Sequence, residues 1–137
     1  MSGDLIIPAS AETVLATLIR EQMPAHLDVW VGTEAPNPRR SGVRGRKVRV
    51  SRTPGGGMAA HGRTDHVFAL IECWADTEDE ADDLAAVVRA IMKASRSRTV
   101  LGTFVRWWKE NSGPYRWPDE SDQERYQFTG ELLLKIG

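Results

Sequence analysis

Few side chains in this 137-residue chain are suited to chemistry. There are three histidines, His26, His61 and His66, and one cysteine, Cys73. His61 and His66 flank a loop and have no carboxylate or thiol partner at ligand spacing, so they read as loop histidines and no metal is expected. Cys73 sits within an apolar run, where burial raises a thiol's pKa and blunts its reactivity. Gly57-x-x-x-x-Gly62-Arg63-Thr64 has the outline of a phosphate-binding loop with arginine in the lysine position. Such a loop must open a helix, so that amides and dipole meet the phosphates, and a strand pattern follows it here. Glu72 lies inside an apolar strand on the face of Leu70 and Trp74. A carboxylate there must be paired, with Arg106 or across a subunit interface. No nucleophile–base pair, metal set or phosphate cradle emerges. The chain is read as a non-enzyme with no cofactor and no catalytic, cofactor-binding or metal residues.

Charge is the strongest local signal. The net charge is −1, yet Arg39, Arg40, Arg44, Arg46, Lys47, Arg49 and Arg52 fall in one stretch without an acid. Acids gather elsewhere, in 76–83 with Asp76, Glu78, Asp79 and Asp82, and in 119–124 with Asp119, Glu120 and Asp122. Segregated charge points to a charged partner or to further copies of the chain. The basic arm is expected to be a partner interface. The acidic residues are expected to face a lumen or a neighbouring subunit, since a basic patch and an acidic patch on one molecule make a heterologous contact. A solvated strand face and a phosphate-binding surface are the competing readings of the arm, although few aromatics interleave with it for base stacking. Should the arginines pair with acids of their own chain and leave no sticky surface exposed, the charge argument for assembly fails.

The elements that position these groups are organised around His66–Ser95. The stretch from His66 to Ala75 is almost wholly apolar and reads as a strand in the middle of a sheet. Thr77 with Glu80 forms a capping box, and Ala81, Leu84, Ala85, Val88, Ile91 and Met92 form one helical stripe. Ahead of it, an extended lead-in over 1–8 precedes a helix from Ser10 to about Gln22, with Val14, Leu15, Leu18 and Ile19 inward. A strand is expected over Asp28–Thr33, broken by Ala35–Pro38. Arg46–Arg52 is expected as a strand at or near a sheet edge, valines on one side and cations on the other. Thr53–Asp65 reads as a mobile loop or hairpin tip. Thr99–Gly102 is a turn and Thr103–Glu110 a strand with Trp107 and Trp108 on opposite faces. Asn111–Asp122 is a loop, and Glu124–Ile136 a strand with Tyr126, Phe128, Leu132, Leu134 and Ile136 on one face, where Gly130 marks a bulge or a close backbone approach. The fold class is α+β: about five strands in a mostly antiparallel, mixed sheet with two helices packed on one face. One domain is expected over 1–137, with a long basic arm and loop at about 36–65. No apolar run approaches a membrane span, MSGDLIIPAS lacks the features of a signal peptide, and a lone cysteine fits a reducing cytosol.

The series VWVGTEAPNPRR, an arginine-rich strand, LIECWADTEDEADDLAAVVRA, a GP-Y-R-W-PD loop and RYQFTGELLLK resembles the tail terminator proteins of long-tailed phages, particularly those infecting actinobacteria. The resemblance runs from about Asp28 to Lys135 and carries no catalytic signature. It implies a small α/β domain with helices on one sheet face. It also implies a ring, usually hexameric, that caps the head-proximal end of the tail tube, stops tube growth and joins the tail to the head. The implied partners are further copies of the chain, the tail tube protein and a neck or head-completion protein, with DNA passing through the lumen without specific binding and no membrane. The implied location is the virion, after assembly in the host cytoplasm. A neck or head-completion connector is the nearest alternative, and a nucleic-acid-binding module using the basic arm the alternative from another class.

Overall fold

A computed structural model describes Leu5 and residues 7–136. The lead-in expected over 1–8 lies largely outside the described residues. Helix α1 (Ala11–Gln22) starts where Ser10 accepts the Thr13 amide, and it buries Val14, Leu15, Leu18 and Ile19. Strand β1 (Val29–Gly32) follows, then a four-residue helix α2 (Pro38–Ser41) with Asn37 as its cap. Next come strands β2 (Arg46–Met58) and β3 (Thr64–Ala75), helix α3 (Glu78–Lys93), and strands β4 (Thr99–Val100), β5 (Thr103–Arg116) and β6 (Glu124–Ile136). The α+β expectation holds at the level of class, with six strands and three helices in place of about five and two. The sheet order is β1-β2-β3-β6-β5-β4, in which β1 and β2 are parallel and the other pairs antiparallel. Among the described residues no helix is long and apolar enough to cross a membrane.

One face of the sheet carries the apolar core. Val48 and Val50 of β2, Val67, Ala69, Ile71 and Cys73 of β3, and Phe128, Leu132 and Leu134 of β6 form a single core with the buried stripes of α1 and α3. In α3 the capping box is present, with Thr77 accepting the Glu80 amide and donating to its carboxylate at 3.0 Å. Ala81, Leu84, Ala85, Val88 and Met92 are buried, so the helix period is set by the need to lay one stripe on the sheet.

Two glycines fit close approaches. A Cβ on Gly130 would overlap the Trp108 ring and the Lys109 carbonyl. Trp108 thereby packs edge-on against Phe128 at 6.3 Å, while Trp107 lies on the opposite face near His66, as the sequence predicts. Gly56 has φ +69, and a Cβ there would strike the His66 carbonyl.

The basic strand lies near a sheet edge, as expected: β1 flanks only its first four residues, and β3 lies along its other side. The division of its side chains departs from expectation. Arg46 and Arg52 share the valines' parity, and Lys47, on the opposite face, is buried. The Thr53–Asp65 segment is mostly strand. β2 runs through a bulge between Thr53 and Gly56, and the β2–β3 turn spans only 59–63. The loop expected at Asn111–Asp122 likewise begins later, because β5 continues to Arg116 through register shifts.

Candidate functional site

The basic arm and the acidic segments, far apart in sequence, meet in space. Arg39 pairs with Asp122 at 2.7 Å, Arg44 with Asp76 at 3.3 Å, and Arg46 with Glu80 at 3.2 Å. Arg49 pairs with Glu72 at 2.6 Å and Arg52 with Asp65 at 2.8 Å. Lys47 is 1% exposed; its Nζ donates to the Val43 carbonyl at 2.7 Å and to Gln123 Oε1 at 2.6 Å. Burial holds this ammonium below its usual pKa, with the charge of Asp76 opposing. Of the seven cations, Arg40 alone has no ion pair or side-chain hydrogen bond among the described residues.

The acidic set behaves likewise. Asp76 also accepts from Gln123, and Glu78 accepts from the Tyr126 hydroxyl at 3.0 Å. Asp119 accepts from the Trp74 indole at 2.9 Å and from Ser121. Burial raises the Asp119 carboxyl, but the Ser121 and Trp74 hydrogen bonds and the charge of Arg125 outweigh it and leave the group below its ordinary value. The Arg39 hydrogen bond lowers Asp122 in the same direction. Asp79, Asp82 and Glu120 are exposed, with no ion pair among the described residues.

These pairs correct the charge argument. Opposite charges do not occupy separate places, because the arm folds back on the acids of its own chain. Lys47 is enclosed rather than presented to a partner. Five of the arginines expected at an interface pair with acids of the domain, while their side chains stay 33–56% exposed.

The centre of this network was partly missed. Glu72 pairs not with Arg106, which is exposed, but with Arg49 and with Arg125, whose Nη1 lies 2.7 Å from Oε2. Both guanidiniums lie over the Trp74 ring, Arg49 at 5.5 Å and Arg125 at 5.8 Å from its centroid. A cleft of about 230 Å³ beside it is lined by Glu34, Asn37, Arg49, Trp74, Asp119 and Gln123. Arg49 and Asp119 are already bonded to neighbouring side chains, and Glu34 is the lining charge with no ion pair among the described residues. A sequence signal for Arg125 existed in the alternation of Glu124–Ile136, which places Arg125 on Gln127's face and away from the core.

The remaining chemistry-bearing groups are dispersed. Cys73 is wholly buried, and burial drives its thiol far above the ordinary value. His66 contacts Glu131 at 3.1 Å, and His61 accepts the Arg63 amide within its turn. Among the described residues no cluster of three or more histidine, cysteine or acidic side chains could hold a metal.

Comparison with family models gives no match to this chain, and no curated protein matches it.

Proposed function

We propose that this chain is a tail terminator of a long-tailed phage: a structural protein that closes into a ring on the head-proximal end of the tail tube, ends tube growth and joins the tail to the head. One observation carries the reading, the ordered series from VWVGTEAPNPRR through LIECWADTEDEADDLAAVVRA and GP-Y-R-W-PD to RYQFTGELLLK. The two-layer arrangement, with α1 and α3 on one sheet face, is the architecture that the likeness implies. It adds support without specificity, because one architecture hosts many functions. The partners in this reading are further copies of the chain, the tube protein and a neck protein, in the virion.

The charge of the basic arm is not part of the support. The nucleic-acid alternative is weakened by the same pairs, since counterion release needs cations free to meet phosphates.

Deleting the gene from a phage that carries it and measuring tail lengths by negative stain tests the proposal. Tails longer than those of the parent are expected. Finished tails of parental length without heads would overturn it in favour of a neck connector.

A further inference from the structure

Trp117 is 57% exposed, and Tyr115 stands beside it with its ring edge-on at 6.0 Å. The backbone beneath the pair is tied down. The Trp117 amide donates to the Arg125 carbonyl at 2.9 Å, Arg125 Nε returns to the Trp117 carbonyl at 2.7 Å, and Gln127 donates to the Tyr115 hydroxyl at 2.6 Å. An exposed aromatic with two rotatable bonds on an ordered backbone loses little entropy on docking, and such residues dominate interface energies.

The chain also carries a matching hollow. Between the end of α1 and the second half of α3, Pro24, Val87, Ala90, Ile91 and Ala94 line a groove of about 320 Å³, with Arg98 on its rim. Arg98, and Lys93 and Arg96 close to it in sequence, are exposed and in no ion pair among the described residues. The loop that carries Trp117 continues into Asp119, Glu120 and Asp122, of which Glu120 is exposed and in no such pair. The complementary charges left free are Glu120 on the Trp117 loop and Arg98 on the groove rim.

The two cannot meet within one molecule. Trp117 is bonded to Arg125, which is in register with Trp74 at the end of the sheet where α3 begins. The groove is built on the other half of that 16-residue helix, which is about 24 Å long.

We infer that Trp117 of one copy seats in the α1/α3 groove of the next, with Arg98 over the indole and Glu120 near the basic rim. The contact is heterologous, so repetition closes a ring where its rotation closes and runs on as a fibre where it does not. It rests on the ring-forming reading above.

The test uses the full chain with Trp117→Ala, which removes an exposed side chain, and Ala90→Glu, which blocks the groove at an exposed helical position. Circular dichroism checks that each folds. By sedimentation, wild type self-associates, while each variant alone is weakened on the order of thirtyfold or more. An equal mixture of the two restores one intact interface and stops at a dimer. Wild-type association by either variant, a mixture that stays monomeric, or a wild type monomeric at its highest soluble concentration overturns the contact. Complementing the deletion phage with Trp117→Ala separates the two ideas. Overlong tails in the deletion with normal tails in the complemented phage would remove this contact and leave the terminator reading standing.

Discussion

Arg49 and Glu72 are register partners across β2 and β3, and Arg49 holds Glu72 Oε1 with Nε at 2.8 Å and Nη2 at 2.6 Å. The carboxylate is 2% exposed, and its other oxygen is taken by Arg125. Desolvating such a group is costly, and two guanidiniums bring the compensation.

Replacing Glu72 by Gln therefore leaves two cations facing a neutral group. A loss of about 3 kcal/mol in urea unfolding is expected. Arg125→Met should cost more than Arg49→Met, because Arg125 is the less exposed partner, at 12% against 36%. A loss for Glu72→Gln no larger than that of a surface pair, below about 1 kcal/mol, would show that the network is not a structural tie.

Asp119 gives the fold an acid-sensitive contact. Its folded pKa lies below the ordinary 3.8. The stabilisation it brings is therefore present above about pH 4 and is lost as pH falls through the lower folded value. Asp119→Asn should be less stable than wild type at neutral pH, and the gap should narrow on acidification. Unfolding midpoints followed by tryptophan emission across that range check the point, and a gap independent of pH would exclude it.

Gly130→Ala tests the approach of Trp108. The added methyl overlaps both the ring and the Lys109 carbonyl, so overpacking of about 1–3 kcal/mol is expected. Trp108→Leu in the same chain should recover part of the loss, because the ring is one of the two groups struck. Thermal unfolding of the single and double variants decides it, and a Gly130→Ala protein that melts with wild type would rule out the close fit.

The sequence made β3 and α3 legible because period two gives way to period 3.6 across Thr77, and each pattern is set by local burial. Gly130 stood out because it interrupts an apolar face. What stayed hidden depends on register. Nothing local says that Glu72 will meet Arg49 and Arg125 instead of Arg106, since the choice follows from which strands are neighbours and how they align. The basic arm misled for the same reason: Arg39 and Asp122 are distant along the chain yet 2.7 Å apart in space. Pro54 and Pro114 read as breakers, but each sits at a register shift in its strand, where a missing amide costs the ladder little. β2 and β5 therefore run further than a proline-based boundary allows.

Those two prolines also bear on how copies of this chain can stick together. β1 stops at Gly32, opposite Arg49, and β4 is two residues long, so the later parts of β2 and β5 have main-chain groups open to the side. An open, regular strand invites amyloid-like stacking, but here each open run is broken by a proline and a kink that spoil the template. The molecule is thus guarded against indefinite growth along its backbone, and any ordered assembly must be encoded in its side chains.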